Sequence, residues 1–193
     1  MNQKNLLEVD WSKIPAPADD GAAAHLTGMT IPKISLIATD DTSVTLSELP
    51  GRIVVFAYPR TGEPGKISIV DDWDMIPGAR GCTPQTCAFR DLFAELKGAG
   101  SAHVFGLSTQ SNAYQAEMAA RLHLPFPVLS DEKLVLTAAL DLPTMQVAGL
   151  TLIKRLALVI DNARITQVFY PVFPPDRNAG DVLAWLKDNP VKG

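Results

Sequence analysis

Hydrophobic and polar positions along this chain follow two periods. Residues 34–38 are apolar and strand-like. Thr39-Asp40-Asp41-Thr42 turns the chain into a stretch where Val44 and Leu46 alternate with polar neighbours, as on a strand with one buried face. Ser47-Glu48-Leu49-Pro50-Gly51 reads as a short capped turn and a stop. Residues 53–58 form a continuous apolar, β-branched run, the pattern of a central strand covered on both faces, and Pro59 ends it. Further strands are predicted at 102–107, 127–130, 156–160 and 164–170, the last two joined through Asp161-Asn162-Ala163 as a hairpin. Elsewhere the apolar spacing changes to three and four. Phe89, Leu92, Phe93 and Leu96 predict a helix that Gly98 and Gly100 end, and helices follow at about 112–122, 132–140 and 179–187. The resulting order, β-β-β-α-β-α-β-α-β-β-α, predicts an α/β fold: a mixed central sheet flanked by helices on both faces. Sites in such sheets lie at the carboxyl ends of strands, and Tyr58-Pro59 is one such end.

Two segments stand outside this pattern. Residues 60–79 make a loop far longer than the two to six residues usual between a strand and a helix, punctuated by glycine and proline and carrying Asp71-Asp72-Trp73-Asp74. A solvated insertion is the plain expectation for it. Residues 1–30 read as an extension docked on a domain spanning 31–190. Leu6, Leu7, Val9 and Trp11 suggest a short helix or arm, and 22–29 a second short helical piece.

Composition narrows the class without naming an activity. One domain fits 193 residues, and 47% apolar with 20% charged residues is ordinary for a globular protein. A net charge of −4 gives no reason to expect a nucleic acid or an anionic membrane as partner. Residues 1–10 carry no apolar run of signal-peptide length, and no stretch approaches a membrane span. These features predict a cytoplasmic protein, where structural disulfides are rare and a close cysteine pair is more often redox-active.

Both cysteines lie in Pro77-Gly78-Ala79-Arg80-Gly81-Cys82-Thr83-Pro84-Gln85-Thr86-Cys87. Cys82 falls at or beside a helix start, where free backbone N–H groups and the helix dipole favour negative charge and a thiol more readily becomes the nucleophilic thiolate. Arg80 adds positive charge nearby. Five residues apart in an unbroken helix, two Cα atoms are about 8–9 Å apart. A disulfide needs them within about 7 Å. The pair can therefore bond only if the first turn or two unwinds. Two inert buried thiols remain an open alternative. A metal site is disfavoured, because there is no C-x-x-C and none of the three histidines is near.

Phe56-Ala57-Tyr58-Pro59-Arg60, the run from Gly81 to Asp91, and Arg155-Leu156-Ala157-Leu158-Val159-Ile160-Asp161 resemble a peroxiredoxin, closest to the peroxiredoxin Q (bacterioferritin comigratory protein) type. Residues 31–36 and 44–49 also resemble that family's start, so the likeness covers roughly 30–187. It implies a thioredoxin-like fold and a peroxidase that needs no metal, haem or flavin. It implies Cys82 as the peroxidatic thiolate, Cys87 as the resolving thiol in an intramolecular disulfide, and Arg155 as the arginine beside the pocket. Pro59 is implied to shield Cys82. The implied substrates are hydrogen peroxide and organic hydroperoxides, with a thioredoxin-like dithiol as reductant and a monomer or homodimer as the assembly. The sequence departs from the family in two places. Met75 and Ala79 stand seven and three residues before Cys82, where the family has its active-site proline and threonine, so that either Thr61 or no residue replaces the threonine. Gln85 stands where the subfamily often has Glu. Two other functions compete: a thiol–disulfide oxidoreductase and a non-catalytic redox sensor on the same fold.

Overall fold

The computed structural model describes residues 9–191, so Leu6 and Leu7 lie outside the described residues. A seven-stranded mixed sheet organises the chain. Its strands are β1 (Ser35–Ala38), β2 (Ser43–Thr45), β3 (Arg52–Ala57), β4 (Ser101–Ser108), β5 (Val128–Ser130), β8 (Leu156–Asp161) and β9 (Arg164–Phe169), in the order β2-β1-β5-β4-β3-β8-β9. β6 (Thr144–Val147) and β7 (Leu150–Ile153) form a separate antiparallel hairpin. The helices are α1 (Cys82–Asp91), α2 (Phe93–Gly98), α3 (Asn112–Arg121), α4 (Val135–Leu140) and α5 (Asn178–Asp188).

β3 is central and buried along its whole length, as its unbroken apolar run predicts. It pairs in parallel with β4 and antiparallel with β8. The two-residue period of the strand divides its side chains between two cores. Ile53, Val55 and Ala57 join Phe105, Leu107, Leu158 and α4's Leu136 and Leu140 on one face. Val54, Phe56 and Tyr58 join Cys82, Cys87 and Phe89 of α1, Met118 of α3, and Val182, Leu183 and Leu186 of α5 on the other. Phe56 and Phe89 stack with centroids 4.1 Å apart, pinning α1 to the sheet. This is the thioredoxin-like architecture with helices on both faces.

Four local expectations need correction. The helix expected to run through Leu92 to Leu96 breaks at Leu92 (φ −97°, ψ 11°), and the bend brings Phe93 within 5.8 Å of Phe126 while Leu96 stays buried. The helix expected from 132 begins at Val135, because Leu134 is left-handed and the Asp131 carboxylate accepts the N–H groups of Leu136 and Thr137. Residues 22–29 form turns rather than a helix. Backbone groups there bond to β9 instead (Gly28 N–H to Ile165 O, Ile165 N–H to Met29 O), while Ala23 and Leu26 enter the core. The hairpin β6–β7 had no counterpart in the expected element order. Its turn, Ala148-Gly149, has positive φ at both residues, the conformation that matches strand twist in a two-residue hairpin.

The loop 60–79 is also more than a solvated insertion. Trp73 is buried with Ala79 against Val147 and Leu152 of the hairpin, and Ile69, Val70 and Ile76 pack on that cluster. The acidic residues flanking Trp73 therefore sit on a loop with its own small core.

Candidate active site

Cys82 is the first residue of α1, at the carboxyl-end side of the sheet. The residue before it, Gly81, caps the helix in the left-handed region (φ 104°). A Cβ there would stand 2.6 Å from Pro175 Cγ and 2.7 Å from Trp11 Cη2, so glycine is required twice over, by dihedral and by space. The N-terminal segment and the 3₁₀ turn Pro175–Arg177 thus clamp the start of the cysteine helix, and Trp11 Nε1–H donates to Asp176 at 2.8 Å to close the clamp. Pro84 is tolerated in the first helical turn because its missing N–H would have had no intrahelical partner. The N–H groups at this end have no acceptor within the helix and present partial positive charge.

Arg155, between β7 and β8, is 2% exposed. Its Nη2 lies 3.3 Å from Cys82 Sγ and 3.1–3.3 Å from the carbonyl oxygens of Gly78, Ala79 and Arg80, four acceptors that share its two N–H groups. Its Nη1 donates to Gln85 Oε1 at 2.5 Å, and Gln85 Nε2 donates to the buried Asn178 at 2.9 Å. An amide at position 85 serves both neighbours, whereas a carboxylate could not donate to Asn178 Oδ1. Neither Gln85's bridging role nor Asn178 was legible in the sequence.

Cys82 is 3% exposed and borders a cavity of about 160 Å³. The loop supplies much of the lining, including Thr61, Ile69 and Trp73, and α3 adds Tyr114. Thr61 and Cys82, twenty-one positions apart, thus face one space. Arg80 lines it too and pairs with Asp74 at 3.4 Å. Pro59 is buried at the exit of β3, outside the residues lining the cavity, and its carbonyl accepts from Ser108 Oγ at 3.2 Å. The proline beside Cys82 in the cavity is Pro84. Of the two residues at the displaced motif positions, Ala79 is buried and its carbonyl accepts from Arg155 and from the Cys82 thiol, while Met75 is 58% exposed.

Cys87 lies one and a half turns along α1, also buried and with a free thiol. Burial pushes its pKa up, with the Arg90 guanidinium opposing. Tyr58, wholly buried, has its phenol pushed well up by burial and by the charge of Cys82, so it stays protonated and donates to Gln115.

The sequence matches the Redoxin family over residues 26–183. It is 33% identical over 162 residues to the "Peroxiredoxin Q, chloroplastic" of Oryza sativa subsp. japonica, covering 83% of this chain and 66% of the rice protein. It is 30% identical over 182 residues to the protein of the same name from Triticum aestivum, covering 90% of this chain and 75% of the wheat protein. The structure resembles that of peroxidoxin BcpB from Mycobacterium tuberculosis with a TM-score of 0.68 and 27% identity, over 86% of this chain and 98% of that one.

Proposed function

The chain belongs to the Redoxin family as a peroxiredoxin of the Q type, and from that premise we propose that it is a thiol peroxidase using Cys82 as its attacking sulfur. The observation that carries the reading is the Arg155 guanidinium 3.3 Å from a cysteine sulfur at the first residue of a helix, beside a cavity. Family membership favours it over a thiol–disulfide oxidoreductase or a non-catalytic sensor.

The Cys82 thiolate attacks the terminal oxygen of a hydroperoxide. The S–O bond forms, the O–O bond breaks, and the alkoxide or hydroxide leaves and takes a proton from water. Guanidinium and helix N–H donors stabilise negative charge as it moves from sulfur to oxygen. Burial of Cys82 limits the water that competes for those donors. The product is a Cys82 sulfenic acid. Cys87 then attacks that sulfur, an S–S bond forms, and water leaves.

In the intact α1 the two Cα atoms are about 8–9 Å apart by helix geometry, so the resolving step requires the first turns to open. The bonds that must break include Gln85 N–H to Gly81 O at 3.0 Å and Thr86 Oγ–H to Cys82 O at 2.9 Å. Two exchange steps with a thioredoxin-like dithiol restore both thiols. The substrates are hydrogen peroxide and organic hydroperoxides. The protein acts as a monomer or homodimer in a reducing compartment, the cytoplasm being our assignment. No helix among the described residues is long and apolar enough to cross a membrane.

One equivalent of hydrogen peroxide tests this by intact mass and peptide mapping. The wild type loses both thiols to a bridge within one chain, Cys87→Ser retains a trappable sulfenic acid on Cys82, and Cys82→Ser consumes no peroxide. An unchanged thiol count in the wild type refutes the assignment.

A further inference from the structure

Behind the cavity lies a buried polar cluster that the steps above do not use. Gln110, just beyond β4, is buried and clasps Thr61. Thr61 N–H donates to Gln110 Oε1 at 2.8 Å, Gln110 Nε2 donates to Thr61 O at 3.3 Å, and Thr61 Oγ1 lies 3.1 Å from the same Oε1. The amide's orientation is set by chemistry alone. A backbone N–H can only donate and a backbone carbonyl can only accept, so Oε1 must face the first and Nε2 the second. Oε1 carries no proton. The Thr61 hydroxyl proton therefore lies on the line to Gln110.

The cluster is braced from behind. Gln110 O accepts from Gln115 Nε2 at 3.0 Å and from Ser130 Oγ at 2.8 Å. Gln115 Oε1 accepts from Tyr58 OH at 3.0 Å, and Tyr114 OH donates to Thr61 O at 3.2 Å.

We propose that Gln110 is a positioning residue that turns Thr61 into an acceptor-only contact for the hydroperoxide O–H. With its proton committed to Gln110, the Thr61 hydroxyl can offer only lone pairs to a molecule in the cavity. A hydroperoxide meets that demand by donating its O–H, which orients the terminal oxygen for Cys82. In the attack the S–O bond forms and the O–O bond breaks. The donated proton stays on the oxygen transferred to sulfur, and the departing alkoxide is protonated by water. This inference rests on the peroxidase reading above.

The test compares two rates at Cys82 in the full chain: oxidation by hydrogen peroxide and alkylation by iodoacetamide, which needs no O–H recognition. Gln110→Ala is expected to lower the peroxide rate about tenfold, the scale of one lost hydrogen bond, with the iodoacetamide rate unchanged. Gln110→Met fills the same space and gives the same split should the alanine variant not fold. Thr61→Val loses as much as Gln110→Ala, Thr61→Ser keeps the wild-type rate, and the Thr61→Val/Gln110→Ala double variant is no slower than either single one. A wild-type peroxide rate in both Gln110 variants, a parallel fall in the two rates, or losses that multiply in the double variant overturns the proposal while leaving the peroxidase standing. A wild type that consumes no peroxide through Cys82 overturns both.

Discussion

Replacing Arg155 with methionine keeps the length of the side-chain stem and removes the guanidinium. At 3.3 Å, two unit charges interact by about 5 kcal/mol at an effective dielectric near 20. Most of that is present before and during the reaction, because the charge leaving sulfur moves only one bond away. The part that counts is the hydrogen bonding gained as charge reaches the peroxide oxygens, about 1.5–3 kcal/mol for a charge-assisted bond. Arg155→Met should therefore slow Cys82 oxidation roughly 10- to 150-fold. Arg155→Lys keeps the charge but cannot bond Gln85, three carbonyls and sulfur from one planar fork, so its rate should fall between the two. Both variants also leave carbonyls of the 78–80 turn unpaired, at about 1–3 kcal/mol for each one that water cannot reach, so the assay belongs at a temperature where both remain folded. Stopped-flow tryptophan fluorescence suits it, since Trp73 borders the cavity. A wild-type rate in Arg155→Met, with near-UV circular dichroism intact, would refute the role given to this guanidinium.

Two further outcomes follow from the geometry around α1. Gly81→Ala forces a left-handed side chain between Pro175 and Trp11, with Cβ contacts of 2.6 and 2.7 Å. Strain and overpacking together should lower stability by roughly 2–5 kcal/mol, read as a drop in the urea midpoint; a wild-type midpoint contradicts the clamp. The second outcome concerns pH and Cys87, whose folded pKa is raised by burial. The unfolded thiol, at about 8.5, gives up its proton first, so the unfolded state binds fewer protons and stability falls as pH rises. This contribution is complete below the unfolded value and is lost as pH rises through the folded one. Urea titrations of Cys82→Ser from pH 7 to 10 should show the fall, and adding Cys87→Ala should remove it; an unchanged slope counts against a buried, neutral Cys87.

Much of the fold was legible because burial and periodicity coincide. Residues 53–58 read as a central strand since every position is apolar, and the spacing of Phe89, Leu92, Phe93 and Leu96 read as helical across what the structure divides into α1 and α2. The hairpin β6–β7 escaped because its alternation, Met145 and Val147 against Leu150 and Leu152, is short and its turn is Ala-Gly rather than Asn-Gly. That hairpin is also what gives Trp73 somewhere to bury. The loop therefore read as solvated only because its packing partner had gone unseen.

The sequence by itself determined the placement of Cys82 at a helix start and of Cys87 beyond bonding reach. Both follow from local spacing along one element. It also marked Arg155 and Thr61, though only through likeness to a family. The tertiary structure alone decided that Arg155 reaches Cys82 from seventy-three positions away, that Gln85 and Asn178 hold that arginine, and that Gln110 fixes the proton of Thr61. Hydrogen-bond polarity depends on which donors and acceptors meet across the fold. No periodicity along the chain encodes that meeting.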